Sequence, residues 1–187
     1  AQSLAIAGVS ATLATKQYGE LMGYAWPLLM LPSFIMSALS TSLVPAVSEA
    51  DARGNMGLVA RRLHQSLRIT FITGCLAVAI LFIFADPIMN VMYGKTNAAI
   101  YITFLAPIFI FAYYQMPLQA VLQAMNMAKS AMVNSTVGAA VKLSMIFILT
   151  SQPQFGIMGT AIGIGCGIVA VTFLHFATIA KRIQLSL

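Results

Sequence analysis

Five long uncharged stretches dominate the chain, and each has the length and polarity of a membrane-spanning helix. The first lies between Glu20 and Glu49, and its 28 uncharged positions would extend to roughly 42 Å as a helix, beyond the ~30 Å apolar core of a bilayer. Because Pro27, Pro32 and Pro45 lie inside it, we expect a tilt or a kink there. The spans predicted from the five stretches cover about residues 18–50, 67–85, 98–125, 128–149 and 157–180.

The segments outside these stretches are shorter and more polar. Residues 1–17 contain few strongly apolar side chains, so we predict that they form an interfacial segment ahead of the first span. Residues 51–68, with the helix-breaking pair Gly54 and Asn55, predict a loop that runs into the start of an amphipathic helix. Asp86 and Pro87 end the second stretch, and residues 88–97 predict a short interfacial turn with Tyr93 as its aromatic anchor.

The positive charges predict the orientation of the chain in the membrane. If successive loops alternate sides, seven Lys and Arg residues fall on one side and two on the other. Basic residues accumulate in cytoplasmic loops, so the side with seven is predicted to be cytoplasmic, the first segment outside and the C-terminal end inside. The seven are Arg53, Arg61, Arg62, Arg68, Lys129, Lys181 and Arg182, and the two are Lys16 and Lys95.

The composition supports an integral membrane protein and excludes several other classes. Apolar residues make up 60% of the chain and charged residues only 7%, against about a quarter charged in soluble domains, and the mean hydropathy is +0.91. The net charge of +6 could indicate nucleic acid, but the basic residues lie between apolar runs, so we predict no nucleic-acid partner. Cys75 and Cys166 lie in apolar runs without ligand-spaced partners, which predicts no disulfide, metal site or cofactor.

Two spans contain regular stripes of uncharged polar side chains. A hydroxyl recurs every four residues in the first span, and an amide recurs every four in the third. The hydroxyl stripe consists of Ser33, Ser37 and Thr41, and the amide stripe of Gln115, Gln119 and Gln123. Two interpretations stay open: the groups bond to their own helix or to a neighbouring one, or they line a polar cavity, because an unbonded amide in hydrocarbon costs several kcal/mol.

Lys142 is the one charge placed well inside a predicted span. It follows Lys129 by thirteen residues, about 20 Å along a helix and past the bilayer midplane. A lysine there costs about 2.5 to 3.5 kcal/mol, which suggests a functional site, and its charge suits an anion such as a pyrophosphate. Asn134 and Gly138 share its face, so we expect a polar track. The alternative is that the side chain extends to the outer interface.

The last span has a face of small residues. Gly159, Gly163 and Gly167 recur every four residues, a spacing that lets another helix approach closely. We therefore predict that they pack against a neighbouring helix.

No arrangement of residues indicates an enzyme. The four carboxylates are all predicted at span edges, where no two form an acid and base pair. His175 is interpreted as an interfacial residue near the inner end of the last span. The carboxylates are Glu20, Glu49, Asp51 and Asp86.

Four stretches of the chain closely resemble the polysaccharide and oligosaccharidyl-lipid exporter branch of the MOP flippase superfamily. They are YGELMGYAWPLLMLPSFIMSALSTSLVPAVSEA, FADPIMNVMYG, PLQAVLQAMNMAKSAMVNS and FGIMGTAIG. The resemblance implies an all-α integral membrane helix bundle of two pseudo-symmetric lobes around a central cavity. The chain, which begins in mid-pattern with Ala, would be most of the second lobe, and its first span would line the cavity.

The same resemblance implies a function and its partners. Members of this branch are thought to move undecaprenyl-pyrophosphate-linked oligosaccharides or peptidoglycan precursors across the cytoplasmic membrane, here for the spore cortex. The partners would be that lipid-linked substrate, membrane lipids and the remaining lobe, and the two stripes, Asn134 and Lys142 would line the pathway. One alternative is a cation-coupled multidrug exporter of the same superfamily, which the lack of carboxylates inside the spans disfavours. The other is a non-transporting membrane scaffold for cell-wall enzymes.

Overall fold

A computed structural model describes residues 10–94 and 97–184, and in this part of the chain every regular element is a helix. Four of the helices are long and apolar enough to cross a membrane, and a bent pair raises the number of candidate spans to five. The all-α, multi-pass membrane class is thereby confirmed. The helices are α1 (Ala11–Met30), α2 (Ser33–Ala52), α3 (Met56–Ile83), α4 (Ala85–Tyr93), α5 (Ala99–Ala124), α6 (Ala128–Thr150) and α7 (Met158–Gln184).

The first predicted span is broken into α1 and α2, which meet at an angle of 48°. The break lies at Leu31 and Pro32. A proline ring has no N–H to donate and collides with the carbonyl four residues earlier, so the helix cannot continue straight through Pro32. Pro27 and Pro45 lie within helix, so the expected kink forms at one of the three prolines.

Helix α1 begins seven residues before the predicted start of the span at residue 18, and it places Glu20 inside a helix. Glu20 opens a turn of π-helix, Glu20–Ala25, and is only 7% exposed. The prediction that this carboxylate lies at a span edge stays a prediction, but its side chain is buried by the neighbouring helices. The interfacial location of residues 1–17 stays a prediction, and residues 1–9 lie outside the described part of the chain.

Two further boundaries differ from the predicted pattern. Helix α3 begins at Met56, eleven residues before the predicted span, because the Asn55 side chain accepts a hydrogen bond from the N–H of Leu58 at 2.9 Å and caps it. The first six residues of the turn predicted over 88–97 belong instead to the nine-residue helix α4, which begins at Ala85. Asp86 and Pro87 both suit a first helical turn, which explains why they begin a helix here.

Helix α5 lies at the centre of the bundle and contacts each of the other helices. One core surrounds its first half and includes Met36, Tyr101 and Phe109; the other surrounds its second half and includes Val47 and Leu122. The second core lies where α2, α5 and α7 end and where α3 and α6 begin. We call this the basic end, because it brings together segments that contain Arg61, Arg62, Lys129 and Lys181.

Helices α6 and α7 form the closest helix pair, and glycines make the approach possible. A Cβ atom built on Gly159 would lie 2.8 Å from the carbonyl carbon of Leu149, and one on Gly163 would lie 2.7 Å from the backbone nitrogen of Ile146. Both distances are too short for a real side chain. The glycine face of α7 thus lies against the α6 backbone.

Candidate functional site

Lys142 lies in a cleft of about 250 Å³ formed by α1, α5, α6 and α7. We call it the Lys142 cleft. Its polar lining comes from the Lys142 ammonium, the Gln115 amide and the Ser135 hydroxyl, and Trp26 of α1 forms an apolar wall. No ion pair involves Lys142 in the described part of the chain, so a role for this lysine in binding an anionic group stays a prediction.

Two glycines shape the floor of this cleft. Gly138 of α6 and Gly167 of α7 both line it, and a Cβ on Gly167 would lie 2.6 Å from the Lys142 Cβ. The absence of a side chain at Gly167 lets α7 pass directly beside the lysine stem. Lys142 is half-buried as a result.

A second cleft, of about 240 Å³, lies between α2 and α5. We call it the stripe cleft, because Ser37 and Thr41 of the hydroxyl stripe face Gln119 and Gln123 of the amide stripe across it. The two stripes that the sequence places on separate spans therefore meet. Ser33, the remaining hydroxyl, is not part of this lining and donates across the break to the carbonyl of Met30 at the end of α1.

The two clefts lie along one face of α5. Gln115 opens into the Lys142 cleft, and Gln119, one helical turn further on, opens into the stripe cleft. The amide stripe thus places the two clefts next to each other on α5, and we call the two clefts together the polar path.

The polar groups along this path differ in their hydrogen bonds. The Nε2 atom of Gln115 donates to the Ile168 carbonyl at 2.9 Å and to the Thr172 hydroxyl at 3.3 Å, both on α7. Thr41 donates to the Ser37 carbonyl at 3.0 Å. The Gln115 side chain is therefore an interhelical tie that also borders the cleft, whereas Gln119 and Gln123 make no hydrogen bond in the described part of the chain.

Asn134 lies apart from the Lys142 cleft. Its side chain is buried against α7, where its Nδ2 atom donates to the Thr178 hydroxyl at 3.0 Å and lies 3.3 Å from Nδ1 of His175. His175 is fully buried, so its interpretation as an interfacial residue is wrong. Of the polar track expected on α6, Gly138 and Lys142 line the cleft and Asn134 does not. A role for Asn134 in a pathway stays a prediction.

Three lining residues were missed by the sequence analysis. Ser135 lies one turn before Ala139 and two turns before Lys142, so a helical projection could have found it. Met22 and Trp26 belong to α1, far from α6 in sequence, and no pattern within α1 indicates that they line a cleft with α6. Among the described residues, no group of three His, Cys, Asp or Glu side chains could hold a metal ion.

Comparison with known proteins places the chain in a family. The family model described as "Lipid II flippase MurJ" matches residues 4–187. The chain belongs to the MurJ lipid II flippase family. The resemblance to the flippase superfamily that the sequence motifs indicate is thereby confirmed, and no solved structure matches the chain significantly.

The curated relatives of this MurJ-family chain come from Bacillus subtilis strain 168. The chain is 53% identical to stage V sporulation protein B over all 187 residues, which cover 36% of that protein. It is 36% identical to sporulation protein YkvU over 184 residues, covering 41% of it, and 24% identical to lipid II flippase MurJ over 147 residues, covering 27%. The chain therefore spans between a quarter and about two fifths of the length of these relatives.

Proposed function

We propose that this chain is part of a flippase that moves a lipid-linked cell-wall precursor across the cytoplasmic membrane. The observation that carries the proposal is the polar path, in which the Lys142 cleft and the stripe cleft lie next to each other along α5. Membership in a family described as lipid II flippases indicates the class of cargo. The sporulation names of the two relatives with the higher identity suggest the spore cortex as its destination.

The chemistry of the path suits an undecaprenyl-pyrophosphate-linked saccharide. The Lys142 ammonium would neutralise part of the pyrophosphate charge. Ser37, Thr41, Gln119 and Gln123 would exchange hydrogen bonds with the sugar hydroxyls, and the prenyl chain would stay in the lipid. No covalent bond needs to form or break, so the proposed process is transport and not catalysis.

The α1–α2 break supplies a mechanical element for this process. Trp26 lines the Lys142 cleft on one side of Pro32, and Ser37 lines the stripe cleft on the other. A change in the 48° bend would move one wall of the path relative to the other. The remaining part of the longer protein would supply the opposite lobe, and the two lobes would alternate access to the path.

The basic end of the bundle would face the cytoplasm. The loops and helix ends there contain Arg53, Arg61, Arg62, Lys129, Lys181 and Arg182, and cytoplasmic loops accumulate such charge. The segment that precedes α1 would then lie outside.

One observation favours a second function, cation-coupled export. The buried Glu20 in α1 removes the argument that the spans lack carboxylates, and a carboxylate in a π-helical turn is the type of group that binds a proton or a metal cation inside a transporter. Dependence of transport on a proton or sodium gradient, lost in Glu20→Gln, would support this function.

The first experiment tests Lys142 in the full-length protein. Purified protein in liposomes would be given an undecaprenyl-pyrophosphate disaccharide-peptide, and its appearance in the opposite leaflet would be timed. We expect Lys142→Gln to slow movement roughly tenfold to a hundredfold, because a charge-assisted hydrogen bond contributes about 1.5 to 3 kcal/mol. Lys142→Arg should retain most of the rate.

Lys129→Gln is the matched control, because it removes the same charge from the exposed start of the same helix. Equal rates for Lys142→Gln and wild type would show that Lys142 does not contact the cargo. If folded wild-type protein moves no more precursor than protein-free vesicles do, with or without an ion gradient, the flippase function itself is wrong.

A further inference from the structure

An apolar groove of about 210 Å³ lies between α3 and α7 at the basic end. Both helices pack against α5, and the groove is the gap left between them. Leu63 and Leu67 of α3 face Phe176 and Ile183 of α7 across it, and the ring of His64 is the main polar group on the α3 side. The groove is separate from the Lys142 cleft and the stripe cleft.

Exposed cations surround this groove on both helices. On α3, Arg61 lies three residues before His64 and Arg68 lies four residues after it, so both are neighbours of His64 at the edge of the face that lines the groove. On α7, Lys181 lies three residues before the lining residue Gln184, so the two are neighbours on the helix surface. All three basic side chains are exposed.

Arg62 provides an internal contrast. It is one residue from Arg61, but it lines a different cleft, between α2 and α3, together with Gln65 and Ser42. The charges on the groove face are therefore a distinct set and not merely part of a uniformly basic helix.

We infer that the α3–α7 groove binds an anionic phospholipid, with one acyl chain in the groove and the phosphate held by Arg61, Arg68 and Lys181. A groove between membrane-spanning helices is surrounded by lipid, which makes an acyl chain its natural occupant. Basic pockets between such helices bind anionic headgroups, with about 1 kcal/mol for each Lys or Arg near the surface. Charge complementarity thus selects an anionic lipid over a zwitterionic one.

The bound lipid would tie α3 to α7 at the end of the bundle where these helices do not pack directly. His64 would add an N–H donor to the phosphate, since its ring lines the groove. This inference does not depend on the cargo of the proposed flippase, because the groove lies off the polar path.

The test uses photoactivatable lipids with the full-length protein in liposomes. Phosphatidylglycerol and phosphatidylcholine would contain the same acyl chain with a diazirine group, and cross-linked peptides would be located by mass spectrometry. We expect phosphatidylglycerol to label the peptides around Leu67 and Phe176 at least fivefold more than phosphatidylcholine. The double variant Arg61→Gln with Arg68→Gln should abolish that preference, since each charge contributes about fivefold in affinity.

Two further variants make the result specific. Arg62→Gln removes one charge from the same helix and should leave groove labelling unchanged, whereas Ala180→Phe fills the groove and should lower labelling by both lipids. Thermal unfolding in detergent would verify that each variant is folded.

Three outcomes would overturn the inference. Equal groove labelling by the two lipids would show that the headgroup is not selected. A loss of the lipid preference in Arg62→Gln as large as in the double variant would show that the charges act only collectively. Labelling elsewhere on the protein but not in the groove would show that another part of the full-length chain, or a partner, covers it.

Discussion

The amide side chains inside the helices fall into two groups that differ in their hydrogen bonds. Gln115 of α5 donates hydrogen bonds to two atoms of α7, and Asn134 of α6 donates one to Thr178, which is also on α7. Gln119 and Gln123 instead face the hydroxyls of α2 across an open cleft. The four-residue period of the amide stripe predicts a common face, but it does not reveal which members meet a neighbouring helix.

This difference predicts opposite effects of the same substitution at two positions. Gln115→Leu should lower the free energy of unfolding by about 0.6 to 1.7 kcal/mol, the range measured for hydrogen bonds between membrane helices. Gln119→Leu should leave stability nearly unchanged and slow precursor movement. Thermal unfolding in detergent and the liposome assay would measure the two properties. If Gln119→Leu destabilised the protein as much as Gln115→Leu, the stripe cleft would be a packing contact and not an open path.

At the scale of elements, the α6–α7 pair depends on the missing side chains of its glycines. Gly163 lies against the backbone nitrogen of Ile146, and backbone cannot move aside as a flexible side chain can. The G-x-x-x-G spacing of α7 indicated a close helix partner, and the structure identifies that partner as α6.

Gly163→Ala should therefore destabilise the bundle. The new methyl group would lie 2.7 Å from the Ile146 nitrogen, and overpacking of this kind costs about 1 to 3 kcal/mol. Gly19→Ala is the matched control, because nothing lies within 4 Å of the Cβ position at that exposed helical glycine. A melting temperature lowered for Gly163→Ala but not for Gly19→Ala would bear this out. Equal melting temperatures would show that α7 can shift away from α6 without loss.

At the scale of the whole molecule, the sequence predicts the bounds of the long apolar helices better than it predicts the segments between them or the contacts from one helix to another. Helices α5 and α6 match the predicted spans within one residue at each end, because long uncharged runs are a direct consequence of the bilayer. The early start of α3 and the helix at α4 depend on capping and first-turn chemistry, which local hydropathy does not register. The burial of Glu20 and His175 depends on neighbours far away in sequence, so no periodicity could reveal it.

The same limit applies to the candidate site. The stripes and Lys142 were recognised because each repeats or stands out within one helix. Their arrangement as one path depends on α5 passing between α2 and α7, a tertiary fact. Trp26 and Ser135 join the Lys142 cleft for that reason, and Asn134 turns away from it because α7 supplies Thr178 and His175 as partners.

The antiparallel arrangement of the helices makes the orientation of the whole chain testable. Ala52 and Ala128 are exposed and lie at the basic end, whereas Gln154 is exposed in the loop between α6 and α7 at the opposite end. Single cysteines at these positions, in a background without Cys75, Cys166 or any other cysteine, would be treated with a membrane-impermeant maleimide on intact cells. We expect Gln154→Cys to react in intact cells, and Ala52→Cys and Ala128→Cys only after permeabilisation, because positive charge is retained on the cytoplasmic side.

The pattern of labelling separates two statements about the molecule. If Ala52→Cys and Ala128→Cys always behave alike and Gln154→Cys behaves oppositely, the arrangement of helices is correct, whichever end of the bundle is outside. If that pair reacts in intact cells, the orientation is inverted, and Lys142 would then approach the pyrophosphate from the other leaflet. Because the charges of the basic end, the α3–α7 groove and the polar path are fixed to the same helices, one labelling experiment orients all three relative to the membrane.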